Sequence, residues 1–157
     1  KPVGQTTPVV PTAGAQTSTT TELGTARPVL YGYPDLTVTI TAVGYLTTSS
    51  TDSFVAATTV PHGAIPAVRF SVKNIGTNVA GQWSSLASIP TSNNSTYQSA
   101  PQQTLNPGDY MDFTLGFSQP IPGSNQSVTI NVNADRSVSE SNTNNNSAVG
   151  TLTLLGS

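Results

Sequence analysis

From Asp35 onward, hydrophobic and polar residues alternate with a period of two, the mark of half-buried strands. Leu36, Val38, Ile40 and Ala42 are interleaved with Thr37, Thr39 and Thr41. Val43, Tyr45 and Leu46 then change parity, which predicts a bulge or kink near Gly44. Val68, Phe70 and Val72 alternate with Arg69, Ser71 and Lys73, and a turn follows around Gly76. Trp83, Ser85, Ala87 and Ile89 share a face, as do Met111, Phe113, Leu115 and Phe117. Val128, Ile130, Val132 and Ala134 are expected inward, with Thr129, Asn131 and Asn133 outward. Ala148, Leu152 and Leu154 line a last strand. Between Ile89 and Asp109 the text is polar. A short edge strand near Tyr97 is expected there, its pairing limited by Pro101 and Pro107. Asn106-Pro107-Gly108-Asp109 is a turn signal.

No stretch has a 3.6-residue period. Six or seven short strands separated by turns predict an all-β chain, an immunoglobulin-like antiparallel β-sandwich of about seven strands. Its core is expected around Trp83, Phe70, Val72, Phe113, Leu115, Val128, Ile130 and Val132.

Residues 1–34 break the pattern. They carry Pro2, Pro8, Pro11, Pro28 and Pro34, many threonines and few large apolar side chains, so they read as an extended N-terminal arm before a sandwich over residues 35–157. Between Pro11 and Pro28 lies a proline-free stretch. Its odd positions are Ala13, Ala15, Thr17, Thr19, Thr21 and Leu23; its even positions are Gly14, Gln16, Ser18, Thr20 and Glu22. A small, semi-apolar face opposite a polar one predicts a strand that needs a sheet to join. Two destinations fit: the arm's own sandwich, or that of a neighbour.

Composition narrows the partners. Only 8% of residues are charged and the net charge is −2, against roughly 25% charged in an average soluble domain. The five Lys and Arg are scattered, so no nucleic-acid partner and no anionic membrane surface is expected. No apolar run approaches the roughly 18–20 residues of a membrane helix, so no membrane insertion is expected. Cysteine is absent, which excludes disulfides and thiolate metal sites. The Thr, Ser and Asn bias suits an exported, cell-surface chain, for which Lys1 would be a processed start.

Candidate chemistry is sparse. His62, the single histidine, sits in VPHGAIP between two prolines, a surface-turn context. No nucleophile elbow, HExxH pair, P-loop or dinucleotide fingerprint is present, and one Trp makes a poor sugar platform, so no enzyme is expected. Asp109, Asp112, Asp135 and Glu140 sit at strand ends. Asp135, Glu140, Asn142 and Asn145 form a weak calcium candidate, because hard cations take oxygen ligands. Turn closure and bracing by these Asx side chains is the stronger reading, and no other cofactor is expected. Asn93, Asn94, Asn125 and Asn145 each precede Ser or Thr by two positions and are candidate glycan acceptors.

Four segments in order carry a family resemblance: Pro34-Asp35-Leu36, VKNIGTNVAG (72–81), LNPGD (105–109) and ADRSVSESNTNNNSA from Ala134. In the last, Val138, Glu140, Asn142, Asn145 and Asn146 fit a VxExNxxNN spacing, although Thr143 stands where an acidic residue is common. Over about residues 34–155 the chain resembles the CARDB type, an immunoglobulin-like module of prokaryotic surface proteins. The resemblance implies a fold and a location rather than an activity.

Together these features predict a structural subunit of an extracellular filament, pilus-like fibre or surface layer. Its partners would be identical subunits, each accepting a neighbour's arm as a strand. The alternative is an adhesin or spacer module of a cell-surface protein, with the 90–104 loop and Tyr97 reading a glycan or protein.

Overall fold

A computed structural model describes residues 29–157 in full and residues 3–6 and 15–22 as backbone. The described residues form two β-sheets stacked into a sandwich and no α-helix. In chain order the strands are β1 (Val3–Thr6), β2 (Ala15–Glu22), β3 (Leu36–Leu46), β4 (Phe54–Ala56), β5 (Thr59–Val60) and β6 (Ile65–Asn74). They continue with β7 (Ser85–Ser88), β8 (Thr96–Gln98), β9 (Tyr110–Phe117), β10 (Gly123–Val132) and β11 (Ser147–Leu154). One sheet has the order β1-β2-β9-β6-β3-β4, the other β5-β11-β10-β7-β8. Pairing is antiparallel except for the short β11–β5 contact.

The strands form where the alternation places apolar side chains between the sheets. Leu36, Val38, Val68, Phe70 and Val72 are buried from one sheet, and Ala87, Val128, Ile130, Val132, Leu152 and Leu154 from the other. Phe113 joins them: it stacks on Phe70 with ring centroids 4.9 Å apart and meets Trp83 edge-on at 6.0 Å. Such aromatic pairs add about 0.5–1.5 kcal/mol beyond their buried area. The Trp83 indole N–H, in an otherwise apolar surrounding, donates to the Gln103 carbonyl at 3.0 Å. With no disulfide available, this cluster ties the two sheets together.

Three local expectations are corrected. The bulge expected near Gly44 in β3 is present but lies a little earlier, as a register shift between Ile40 and Ala42. Trp83 precedes β7 rather than lying on it, and forms an isolated bridge with Gln102. The sixth predicted strand ends at Val132, so Ala134 is exposed, while Asn133, expected outward, is buried. Asn133 takes a positive φ of 54°, which swings its side chain out of the strand's alternation.

Candidate assembly site

The arm meets the sandwich along one edge. β2 pairs antiparallel with β9 over eight residues, from Ala15 opposite Phe117 to Glu22 opposite Tyr110. Thr21, Thr19, Thr17 and Ala15 stand in register with Met111, Phe113, Leu115 and Phe117, the buried positions of β9. Thr20 stands opposite the exposed Asp112. On its other side β2 pairs with β1, from Val3 opposite Thr21 to Thr6 opposite Ser18. The arm is therefore a two-stranded ribbon laid on its own sheet. Ala13 and Leu23, the ends of the expected strand, lie outside the described residues.

Where the arm enters the sandwich, residues 31–36 are clamped from two sides. On one side is the turn after β6. Tyr31 N–H donates to the Thr77 carbonyl, Thr77 N–H to the Tyr33 carbonyl, and Ile75 N–H to the Asp35 carbonyl. Asn74 is wholly buried and spends its whole amide here. Its Oδ1 accepts from Asp35 N–H at 3.1 Å and Gly76 N–H at 3.0 Å, and its Nδ2 donates to the carbonyls of Asn78 and Leu105. Gly76 has to be glycine, because a Cβ there would overlap the backbone of Tyr33, Pro34 and Asp35 as they cross it. The Asn106–Asp109 turn closes the same pole: Asn74 N–H donates to the Asp109 carbonyl, Gly108 N–H to the Asn74 carbonyl, and Asn106 N–H to Asp109 Oδ2.

On the other side is the loop between β10 and β11, and Glu140 is its centre. Oε1 accepts the Leu36 N–H at 2.6 Å. Oε2 accepts from Asn133 Nδ2 and Asn146 Nδ2, both at 2.6 Å. One carboxylate thus joins the start of β3, the end of β10 and the residue before β11. Asn145 Nδ2 donates to Asp35 Oδ1 at 2.7 Å, and Ser141 N–H to the Pro34 carbonyl. Asn133 also bonds both backbone groups of Val138, which seats Val138 in the core. Sequence pattern alone did not single out Asn74 or Asn133. Their only signals were an Asn at the end of a strand and, for Asn133, the glutamate seven residues on.

Of the four calcium candidates, Asp135 Oδ1 accepts the Ser137 N–H and Asn142 Oδ1 the Asn144 N–H, both short Asx turns. Glu140 is used as described; Asn145 uses its Nδ2, while its Oδ1 and that of Asn146 are buried without a hydrogen-bond partner among the described residues. Among the described residues no three His, Cys, Asp or Glu side chains lie close enough to share a metal ion. His62 lies exposed at the opposite pole, beside a cleft of about 400 Å³ lined mainly by Val60, Ile65, Pro66, Phe117, Pro120 and Leu154. Asn93, Asn94 and Asn125 are exposed, and all three have positive φ or adjoin a residue that does. No helix among the described residues is long and apolar enough to cross a membrane.

Comparison with known proteins follows this geometry. The CARDB family model matches residues 33–149, from the clamped segment to β11. The crystal structure of the CARDB domain of the PF1109 protein from Pyrococcus furiosus, in complex with di-metal ions, is similar with a TM-score of 0.59 at 19% identity. It covers 80% of this chain and 97% of that one. The solution NMR structure of the same domain gives a TM-score of 0.57 at 20% identity, covering 80% and 98%. No curated protein matches the chain.

Proposed function

The chain belongs to the CARDB family, a type of immunoglobulin-like domain found in cell-surface proteins, and from that premise we propose that it is a structural subunit of an extracellular filament. Each subunit donates its N-terminal arm to a neighbour as an added strand. The observation that carries this reading is the eight-residue pairing of β2 with β9. Strand addition at an edge draws its affinity from main-chain hydrogen bonds and its register from alternate side chains. The same contact is available within a chain or between identical chains, which is the basis of strand exchange. A donor–acceptor contact of this kind does not close on itself, so it propagates.

Two further features support the reading. The weakly charged surface lets subunits pack with little mutual repulsion. The clamp around residues 31–36 fixes the root of the arm by main-chain and side-chain bonds from two loops, so tension on a donated arm would be spread over both sheets. No catalytic or metal-dependent step is assigned. The metal ions named with the PF1109 domain belong to that protein; here Glu140 already accepts three N–H donors.

Electron microscopy of the full chain from its native source tests the proposal. The expected image is an unbranched fibre with one sandwich per repeat and a strand crossing each boundary. Dispersed single sandwiches at high concentration would overturn it.

A further inference from the structure

The geometry points to β9 as the acceptor edge, filled between subunits in the register found within one chain, with the joint forming around the clamp poles of the two subunits. This inference rests on the filament reading above and specifies its contact. β9 carries Met111, Phe113, Leu115 and Phe117 into the core, so without β2 on that side the core would end at a raw sheet edge. Exchange preserves the whole eight-residue register. The first part of β11 is a second open edge, since β5 pairs with it only at Thr153 and Leu154, but the arm is found on β9 and not there. The outer strands β1, β4, β5 and β8 have two to four residues each, and the part of β3 that β4 leaves uncovered already bonds loops, Val38 N–H to the Asn145 carbonyl and Ala57 N–H to the Val43 carbonyl.

Chain length then fixes which ends meet. Glu22 pairs with Tyr110, the end of β9 next to the Asp109–Asn74 bonds of the clamp. Seven steps of chain separate Glu22 from Val29, a reach of roughly 24 Å when fully extended. A donor whose root is held at its own clamp must therefore bring that clamp near the clamp pole of the acceptor. At this pole the molecule exposes Val29, Leu30, Tyr31, Tyr33 and Ile75, at 84%, 49%, 66%, 59% and 53% of their full surfaces. Exposed apolar side chains gathered at one pole mark a contact surface, and the occupant that the short connection brings to them is a second copy of this chain. Burying the patch also supplies the bias that exchange alone lacks, since the β2–β9 bonds are the same in both arrangements.

The absence of cysteine allows a clean test. Full-length Thr20→Cys subunits are mixed with Asp112→Cys subunits under assembling conditions and then oxidised. A disulfide joining one of each, in excess over like pairs, is expected in the fibres, because a chain holding its own arm cannot form it. Fibres with no such heterodimer would overturn the β9 assignment and leave the filament reading standing. Absence of fibres, with a Thr20→Cys/Asp112→Cys double variant closing within single chains, would overturn both. In parallel, Leu30→Glu is expected to cut fibre yield at least tenfold with an unchanged urea midpoint. Undiminished assembly of that variant would overturn the burial of the patch.

Discussion

Glu140 accepts the backbone N–H of Leu36 at 2.6 Å across a sequence separation of 104 residues, and with its other oxygen holds Asn133 and Asn146. A hydrogen bond to a charged group contributes about 1.5–3 kcal/mol net, and a severed buried donor costs its desolvation as well. Glu140→Gln keeps the shape but places an amide NH₂, itself a donor, against at least one of the three N–H donors. The expected loss is about 2–3 kcal/mol, read as a lower urea midpoint with an unchanged denaturant slope. A wild-type midpoint would show that the three bonds are not a structural hub.

Gly76 is a steric rather than an electrostatic element of the same clamp. In Gly76→Ala the new methyl group competes for space with the backbone of residues 33–35. Main chain yields less readily than a side chain, so overpacking of about 1–3 kcal/mol is expected. The damage should be local. Hydrogen exchange of the Tyr31, Asp35 and Leu36 amides, bonded to Thr77, Asn74 and Glu140, should accelerate far more than that of β10. Uniform acceleration over both sheets would argue against a separable clamp.

These two positions show what could be read in the sequence and what could not. The alternation around Phe70, Phe113 and Ile130 is a local property of a strand with one buried face, so the sandwich and its core were legible. The β3 bulge was visible only as a change of parity, which does not say which residue is extra; the shift between Ile40 and Ala42 is set by pairing with β6. β4 and β5 have too few residues to alternate, whereas the short edge strand expected near Tyr97 is β8. The spacing of Glu140, Asn145 and Asn146 marked a special loop, but not Leu36, Asp35 and Asn133 as their partners, since nothing local encodes a contact between distant segments. For the same reason the odd positions of the arm predicted a strand without naming β9.

The ligand-like composition of the 135–146 loop makes a calcium test worthwhile. Ca²⁺ takes six to eight oxygens, whereas both oxygens of Glu140 and one of Asp35 already accept amide N–H groups at 2.6–2.7 Å. Binding through those oxygens would compete with their hydrogen bonds. The thermal midpoint is therefore expected to be the same in millimolar calcium as in chelator. A calcium-dependent rise of several degrees, growing with concentration as linkage requires, would overturn the assignment of this loop to hydrogen bonding.

The clamp also divides the candidate glycan acceptors. Attachment replaces one hydrogen of the Asn side-chain amide and needs that nitrogen accessible on the surface, whereas Asn145 Nδ2 is held by Asp35 at 2.7 Å in a partly buried position. Asn93, Asn94 and Asn125 are exposed. Glycopeptide mapping of native material should find any N-linked glycan on those three and Asn145 bare. A glycan on Asn145 would mean that this amide is accessible and the clamp open there.

Removal of residues 1–26 separates the arm from the sandwich directly. The truncated chain keeps the clamp, whose arm-side residues begin at Tyr31, and it keeps every strand of the core from β3 onward. It loses the ribbon that covers β9, leaving eight residues of strand with a bare edge over the Phe113 and Leu115 side chains. The expected product is a folded monomer or a less stable open sandwich, with no fibres by electron microscopy. Adding a peptide of residues 1–26 in trans should restore protection of the β9 amides from hydrogen exchange without restoring fibres, because a free strand fills the edge but connects no subunits. Fibres assembled by the truncated chain would place the subunit contact somewhere other than the arm.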